Sequence, residues 1–351
     1  MNQNGLLLMN LGSPDSASVP GVSKYLREFL MDGRVIDVPY LIRFGIVNFS
    51  IIPKRAHLSA EAYHSIWTKE GSPLIAISRA LQEIVRSNLS CPVELAMRYQ
   101  NPSVEEAVIK LKARGVTEIT LLPLFPHYAM SSYETAVEKV RNVVQRECPR
   151  TVLKVIPPFY DHPSYIAALV DSAQPYLDEG YDHLLLSFHG LPERHLRKSD
   201  PTGCHCLKVA NCCETPSPAH QTCYRAQCFK TAREFARGGA ISPDRYSISF
   251  QSRLGRDPWM QPYTDSELVR LAKSGVRKLA VMCPAFVADC LETLEEIGMR
   301  GREIFLQAGG GEMRVIPCLN TQPGWISAVI DLVTPYLGES AAPQVLRQNA
   351  A

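Results

Sequence analysis

Two segments carry side chains that could hold a metal ion and move a proton. In DHLLLSFHG, His189 closes an apolar run, and Gly190 and Pro192 turn the chain directly after it. An imidazole at a strand end can ligate a metal or exchange a proton near neutral pH; the blander use is a hydrogen bond to a backbone carbonyl. In VMCPAFVADCLETLEEIG (281–298), Pro284 breaks an apolar run ending at Cys283, and a helix is expected from about Ala288. On that helix Asp289, Glu292 and Glu296 stand at i, i+3 and i+7, three carboxylates on one face. Cys290 points about 200° from Glu292 by helical geometry and reads as structural. Acids in a first turn are more often partners of the helix dipole. Here their place beyond a strand end, like that of His189, favours chemistry.

A third set is thiol. Six of the eleven cysteines fall between residues 204 and 228: Cys204, Cys206, Cys212, Cys213, Cys223 and Cys228. Such crowding in a reducing compartment favours a metal site over disulfides, either a structural Zn²⁺ or an iron–sulfur cluster. His205 and His220 flank these cysteines as substitutes for a thiolate, and His127, in LFPHYAM, reads as a supporting residue.

The elements that must position these residues come from a duplication. Residues 163–177 (PSYIAALVDSAQPYL) and 323–337 (PGWISAVIDLVTPYL) share seven of fifteen positions at an offset of 160. Val155-Ile156-Pro157 and Gly115-Val116 repeat at the same offset, and LLLMNLGSP (6–14) mirrors LLLSFHGLP (184–192). Leu11 is therefore the twin of His189, and Tyr133-Glu134-Thr135 the twin of Leu291-Glu292-Thr293. In each half, apolar runs alternate with amphipathic stretches such as Ser103–Arg114 and Asp265–Ser274. The strands expected are Leu6–Leu11, Val93–Tyr99, Ile119–Leu124 and Val152–Ile156, then His183–His189, Tyr246–Ser252, Leu279–Cys283 and Met313–Ile316. Continuous apolar runs covered by helices imply parallel sheets, hence two doubly wound, Rossmann-like α/β domains. The expected division is 1–162 with the helix 323–337 crossing back, then 163–322 with the cysteine-rich insertion 199–228. The tail from Gly338 to Ala351 has no periodicity and is expected to be disordered. A pseudo-twofold would set the strand ends of both halves around one cleft, where ligands of such folds bind.

A net charge of +2 gives no broad field for nucleic acid. The N-terminal apolar run is too short, and too poor in preceding basic residues, for a signal peptide or membrane span, so the cytoplasm is the expected compartment. The segment 34–55 is apolar with little period. It reads either as core or as an apolar lip making a peripheral contact with the inner membrane.

LLLMNLGSPDS, FLMDGRVIDVP, GSPL, AMRYQNPSVEEAV, LLPLFPHYA, LLLSFHGLPERH, FQSRLGRDPWMQPYTD and CPAFVADCLETLEEI together resemble the ferrochelatase family in its proteobacterial form, over nearly the whole chain. The resemblance implies a chelatase-like fold and a lyase that inserts Fe²⁺ into protoporphyrin IX, yielding protohaem and releasing two protons, in haem (porphyrin) biosynthesis. His189 and Glu292 then form the catalytic and iron-handling pair, and Asp289 and Glu296 an acidic path. Leu11, Phe29, Leu30, Ser78, Arg98, Tyr99 and Trp259 match positions around the porphyrin. Leu11 stands where the coproporphyrin-using branch carries Tyr, which favours protoporphyrin. Some bacterial members carry a [2Fe–2S] cluster; Cys206, Cys213, Cys223 and Cys228 are the first choice of ligands here, with Cys204 and Cys212 as substitutes. The rival readings are a chelatase for coproporphyrin or for cobalt and another tetrapyrrole, a non-catalytic duplicated ligand-binding protein, and an iron–sulfur sensor without activity. Oligomeric state and iron donor leave no mark in the sequence.

Overall fold

The computed structural model describes residues 3–253, 255 and 257–338, so all but Gly338 of the tail expected to be disordered lies outside the described residues. Two four-stranded parallel sheets form, and each is built from one half of the chain. The first has the order β2-β1-β3-β4, with β1 Asn4–Gly12, β2 Val93–Tyr99, β3 Glu118–Pro123 and β4 Val152–Val155. The second has the order β6-β5-β7-β8, with β5 His183–His189, β6 Tyr246–Gln251, β7 Lys278–Met282 and β8 Glu312–Val315. The identical order is the duplication in three dimensions. Leu6, Leu7, Leu8 and Met9 in β1, like Leu184, Leu185 and Leu186 in β5, are wholly buried, as central strands covered on both faces must be.

The helices follow their sequence signals. Ser103 caps Val104–Ala113 by accepting the Glu106 N–H at 3.2 Å, and Thr264–Lys273 occupies the matching place in the second half. Both copies of the repeated segment are helical, Pro163–Asp178 and Pro323–Leu337, each with an internal proline. A π-turn, Met130–Glu134, follows β3, and a longer π-helix, Glu292–Gly301, follows β7.

The described residues separate into two units. One runs to Leu124, takes in Met130–Pro158 and continues from Ile326; the other comprises Phe125–Ala129 and Phe159–Trp325. In the first unit, Gly12 has φ +108°, and a Cβ there would stand 2.1 Å from the Tyr99 carbonyl oxygen, so only glycine fits. No helix among the described residues is long and apolar enough to cross a membrane. The segment 34–55 becomes helical at Tyr40–Ile46 and continues through a π-turn into Ile52–Ile66. Val47, Ile52 and Ala56 pack with Leu30 on one side, while Leu41 and Phe49 on the other are 81% and 78% exposed.

β3, β4, β7 and β8 each end one residue before the expected Leu124, Ile156, Cys283 and Ile316, and at two further places the backbone itself explains the departure. Ser252 is not a strand residue, because its φ is +68°, the left-handed region. The helix expected from Ala288 begins only at Leu291 and widens into π geometry from Glu292.

Candidate active site

β5 carries His189 to its C-terminal end, where Gly190 N–H bonds the Gln251 carbonyl at 2.8 Å and ties β5 to β6. A Cβ on Gly190 would meet that carbonyl oxygen at 2.9 Å and the Trp259 ring at 3.5 Å, so a small residue lets the chain turn beneath the indole. The His189 ring is fixed by its own neighbour: Nδ1 lies 2.7 Å from the Gly190 carbonyl oxygen and must donate to it. In the neutral ring, that donation leaves the Nε2 lone pair available to a metal or a proton. Phe286 flanks the ring edge-on, with centroids 6.2 Å apart.

The π-helix supplies the carboxylates. Glu292 opens it, half-buried, and among the described residues no lysine or arginine pairs with it. Its twin Glu134, in contrast, is tied to Arg34 at 2.8 Å. Glu296 lies one turn on, within electrostatic reach of both Glu292 and His189. Burial first, and then the Glu292 charge, raise its carboxyl above the ordinary range, against the opposing effects of Ser252 and His189. Ser252 grips it twice, through its N–H to Oε1 at 2.9 Å and through its hydroxyl to Oε2. Glu295 is taken up by a bidentate pair with Arg300, at 2.6 and 2.9 Å. π-Helices recur at functional sites because the widened turn aims side chains that a regular helix would spread.

Asp289 does not share this stripe. It precedes the helix, and both its oxygens are used: Oδ1 accepts from Thr293 Oγ1 at 2.9 Å and Cys318 N at 3.3 Å, and Oδ2 from Asn320 Nδ2 at 2.7 Å. Its own N–H returns a bond to Asn320 Oδ1 at 2.9 Å. Cys290, read as pointing away from Glu292, instead has its thiol against that carboxylate, because residues 289–290 are not helical.

In the first unit, two of the residues matched to porphyrin positions, Arg98 and Tyr99, meet on a group that the sequence reading missed. The Asp32 carboxylate accepts from Arg98, Thr135 Oγ1 and, at 2.9 Å, Tyr99 OH. Burial pushes this carboxyl up, but the Thr135 hydroxyl, the Arg34 N–H and the Arg98 charge outweigh it and hold it below the usual range. Arg98 also lies over the Tyr99 ring, 4.4 Å from its centroid, and Phe29 meets that ring edge-on at 5.2 Å. Tyr99, Ser78 and Leu30 are buried, with Ser78 accepting from Asn10 Nδ2 at 3.2 Å, while Leu11, Phe29 and Arg98 are half-buried. Asp32 had a faint signal, an aspartate between an apolar helix and Gly33-Arg34. Ser252 had none, since no composition rule puts serine in a left-handed turn.

His127 is wholly buried in the second unit, with Nε2 at 2.9 Å from Thr231 Oγ1. Thr231 donates onward to the Tyr160 carbonyl, so His127 is the donor in the first bond. Burial drives its pKa down to about 3, which keeps the ring neutral.

The cysteine loop is sorted by burial. Cys206, Cys212, Cys213 and Cys223 share one buried cluster, whereas Cys204 is exposed. The Cys223 thiol touches those of Cys213 and Cys206. The hydrogen bond from Cys213, with help from the Ala226 N–H and Cys206, outweighs burial and brings its pKa down to about 6. Asp200 organises the loop by accepting the N–H groups of Thr202, His205 and Cys206 at 2.8–2.9 Å. His205 and His220 both place Nε2 on the Cys212 carbonyl, at 2.7 and 2.8 Å, and so are spent on the loop backbone. Cys228 stands apart, its sulfur against the Tyr224 phenol. Among the described residues, no three His, Cys, Asp or Glu side chains converge as a single metal ion would require.

Comparison with known proteins places this architecture. The ferrochelatase family model matches residues 3–337. A ferrochelatase from Stutzerimonas stutzeri (strain A1501) is 52% identical over 99% of this chain and 100% of its own length. One from Ectopseudomonas mendocina (strain ymp) is 54% identical over 94% of this chain and 97% of its own. Among solved structures, SirB from Bacillus subtilis with Fe³⁺ aligns at a TM-score of 0.56 and 13% identity, over 97% of this chain and 99% of that one. At that identity the likeness shows the fold alone.

Proposed function

The chain belongs to the ferrochelatase family, and from that premise we propose that it inserts Fe²⁺ into protoporphyrin IX to form protohaem. It is accordingly an enzyme, a metal chelatase of the lyase class. The observation that carries the chemistry is the His189 tautomer: with Nδ1–H given to the Gly190 carbonyl, the Nε2 lone pair is unspent, on a ring within electrostatic reach of Glu296, whose carboxyl also feels the Glu292 charge.

Two pyrrole N–H protons must leave as the iron enters, and a flat macrocycle hides its nitrogen lone pairs. A ring held bent exposes them, the distortion being drawn from binding energy elsewhere on the porphyrin. In our reading His189 faces the macrocycle centre and Glu292 delivers iron and takes up a proton. An imidazole and a carboxylate bind Fe²⁺ loosely enough to release it, and both can act as bases. Glu296, raised by its surroundings, passes the proton outward. Asp289 belongs to the path as its anchor, fixing the start of the π-helix. For the macrocycle we infer contacts from Leu11, Phe29, Arg98 and Trp259, with Leu30, Ser78 and Tyr99 supporting them from beneath.

Crowded thiols are the kind of donors an iron–sulfur group takes, and we infer one here from that chemistry rather than from a preformed site. Cys206, Cys213 and Cys223 would hold it, with Cys212 rather than Cys228 as the fourth ligand, because Cys212 lies in the same buried cluster. A [2Fe–2S] cluster bound there would supply a one-electron couple and a cross-link for the loop. We infer a cytoplasmic protein that touches a membrane through the exposed apolar residues of 34–55, with Lys54 and Arg55 beside them for anionic headgroups.

The test is anaerobic incubation with Fe²⁺ and protoporphyrin IX, followed by the Soret and visible bands. Appearance of haem supports the proposal; its absence under reducing conditions, with the protein folded, overturns it.

A further inference from the structure

The cysteine loop and His189 are joined through one side chain, Tyr224. It opens the helix Tyr224–Gly238 directly after Cys223, the residue that caps that helix and touches the thiols of Cys206 and Cys213. Tyr224 is buried. Its ring meets His127 edge-on at 5.6 Å, and His127 in turn meets Phe188, the neighbour of His189, edge-on at 5.5 Å. The Tyr224 phenol also lies against Cys228 Sγ and faces the main-chain N–H of His189. Phe188 and Cys228 are 0% exposed and His127 2%, so this chain of contacts has no slack. Interiors packed to crystal density pass a displacement on rather than absorb it. At the far end the His189 ring is pinned to the next carbonyl, so a shift of the main chain at residue 189 carries the imidazole with it.

We propose that Tyr224 is a positioning residue for His189 and transmits to it the state of the cysteine loop, so that a loop without its full set of thiols lowers the rate of metal insertion. This rests on the reading of His189 as the imidazole at the reaction centre. Nothing in the proposal requires Tyr224 to touch porphyrin or iron. Its substitution should therefore change turnover and leave substrate affinity alone.

The experiment compares the full-length chain with Tyr224→Phe, Cys213→Ser and the double variant, all purified anaerobically. Steady-state kinetics with Fe²⁺ and protoporphyrin are combined with hydrogen–deuterium exchange of the peptide covering 187–190. Tyr224→Phe keeps the ring and removes one neutral hydrogen-bonding oxygen, so kcat should fall about threefold to tenfold with the porphyrin KM unchanged. Cys213→Ser should lower kcat in the parent but have a smaller effect in the Tyr224→Phe background, where the phenol contact with the His189 main chain is gone and only the ring contacts remain, the signature of a shared path. It should also speed exchange at 187–190. The same fold-loss from Cys213→Ser in both backgrounds, or unchanged exchange at 187–190, would overturn the link. The exchange measurement needs no turnover, so it judges the link whether or not His189 proves catalytic. It also needs only Cys213→Ser, should Tyr224→Phe not fold.

Discussion

Ser252 holds both oxygens of Glu296, one through its main-chain N–H at 2.9 Å and the other through its hydroxyl. It does so from a left-handed conformation, φ +68°, that a serine adopts only at a cost. Strain of this kind persists where the surroundings over-determine it, often at functional sites. Removing the hydroxyl should loosen Glu296 without unfolding β6. We expect Ser252→Ala to lower kcat by about tenfold to a hundredfold, the value of one hydrogen bond to a carboxylate, with porphyrin affinity unchanged. Equal kcat in the variant and parent would show that the grip is architectural only.

His189→Ala should abolish turnover and leave porphyrin binding near that of the parent. The imidazole offers a lone pair and no packing surface that its half-buried position requires. Fluorescence titration gives binding and haem formation gives turnover. A variant keeping more than about a tenth of the parent kcat, against the larger losses usual for a positioned acid–base group, refutes the assignment.

Asp289→Asn places an NH₂ group among three donors, Thr293 Oγ1, Cys318 N and Asn320 Nδ2. Asp289 is buried, which leaves solvent little access to take their place. A loss of about 2 kcal/mol or more follows from unsatisfied buried donors, measurable as a lower urea midpoint. Normal stability with reduced turnover would instead put Asp289 in the chemistry.

His127 links stability to pH. Its pKa falls from an ordinary 6.5 to about 3 on folding, so between these values the unfolded chain binds the extra proton. Stability is therefore lost as pH drops below about 6.5 and continues to fall toward 3. In His127→Gln the drop in urea midpoint between pH 7 and pH 5 should be smaller than in the parent. An equal drop in both proteins contradicts the assignment.

Anaerobically purified protein should show absorbance bands above 400 nm from a thiolate-bound iron–sulfur group, as charge-transfer transitions of such clusters require. Cys206→Ser, Cys213→Ser and Cys223→Ser should each remove them. Cys204→Ser and Cys228→Ser should not, since one thiol is exposed and the other faces Tyr224. No bands in the parent protein would end the cluster reading.

The sequence alone determined whatever is written in local periodicity and repetition. The buried runs Leu6–Met9 and Leu184–Leu186 announced parallel strands, because a strand covered on both faces has no polar side to alternate with. The offset of 160 between the repeated helices announced two equivalent sheets, and His189 stood out at a strand end beside Gly190. What only the tertiary structure decided lies where backbone leaves regular geometry or where partners are distant in sequence. An α-helical wheel aligned Asp289 with Glu292 and Glu296, but the helix starts at Leu291 and opens into π geometry, which returns Asp289 to Asn320 and brings Cys290 to Glu292. Ser252 reaches Glu296 across 44 residues, and Asp32 gathers Arg98, Tyr99 and Thr135 from 66 to 103 residues away. Spacing rules carry no information about such pairs, because periodicity describes one element at a time. Which carboxylate is shielded, which imidazole nitrogen is left bare and which thiols meet are set by packing between elements.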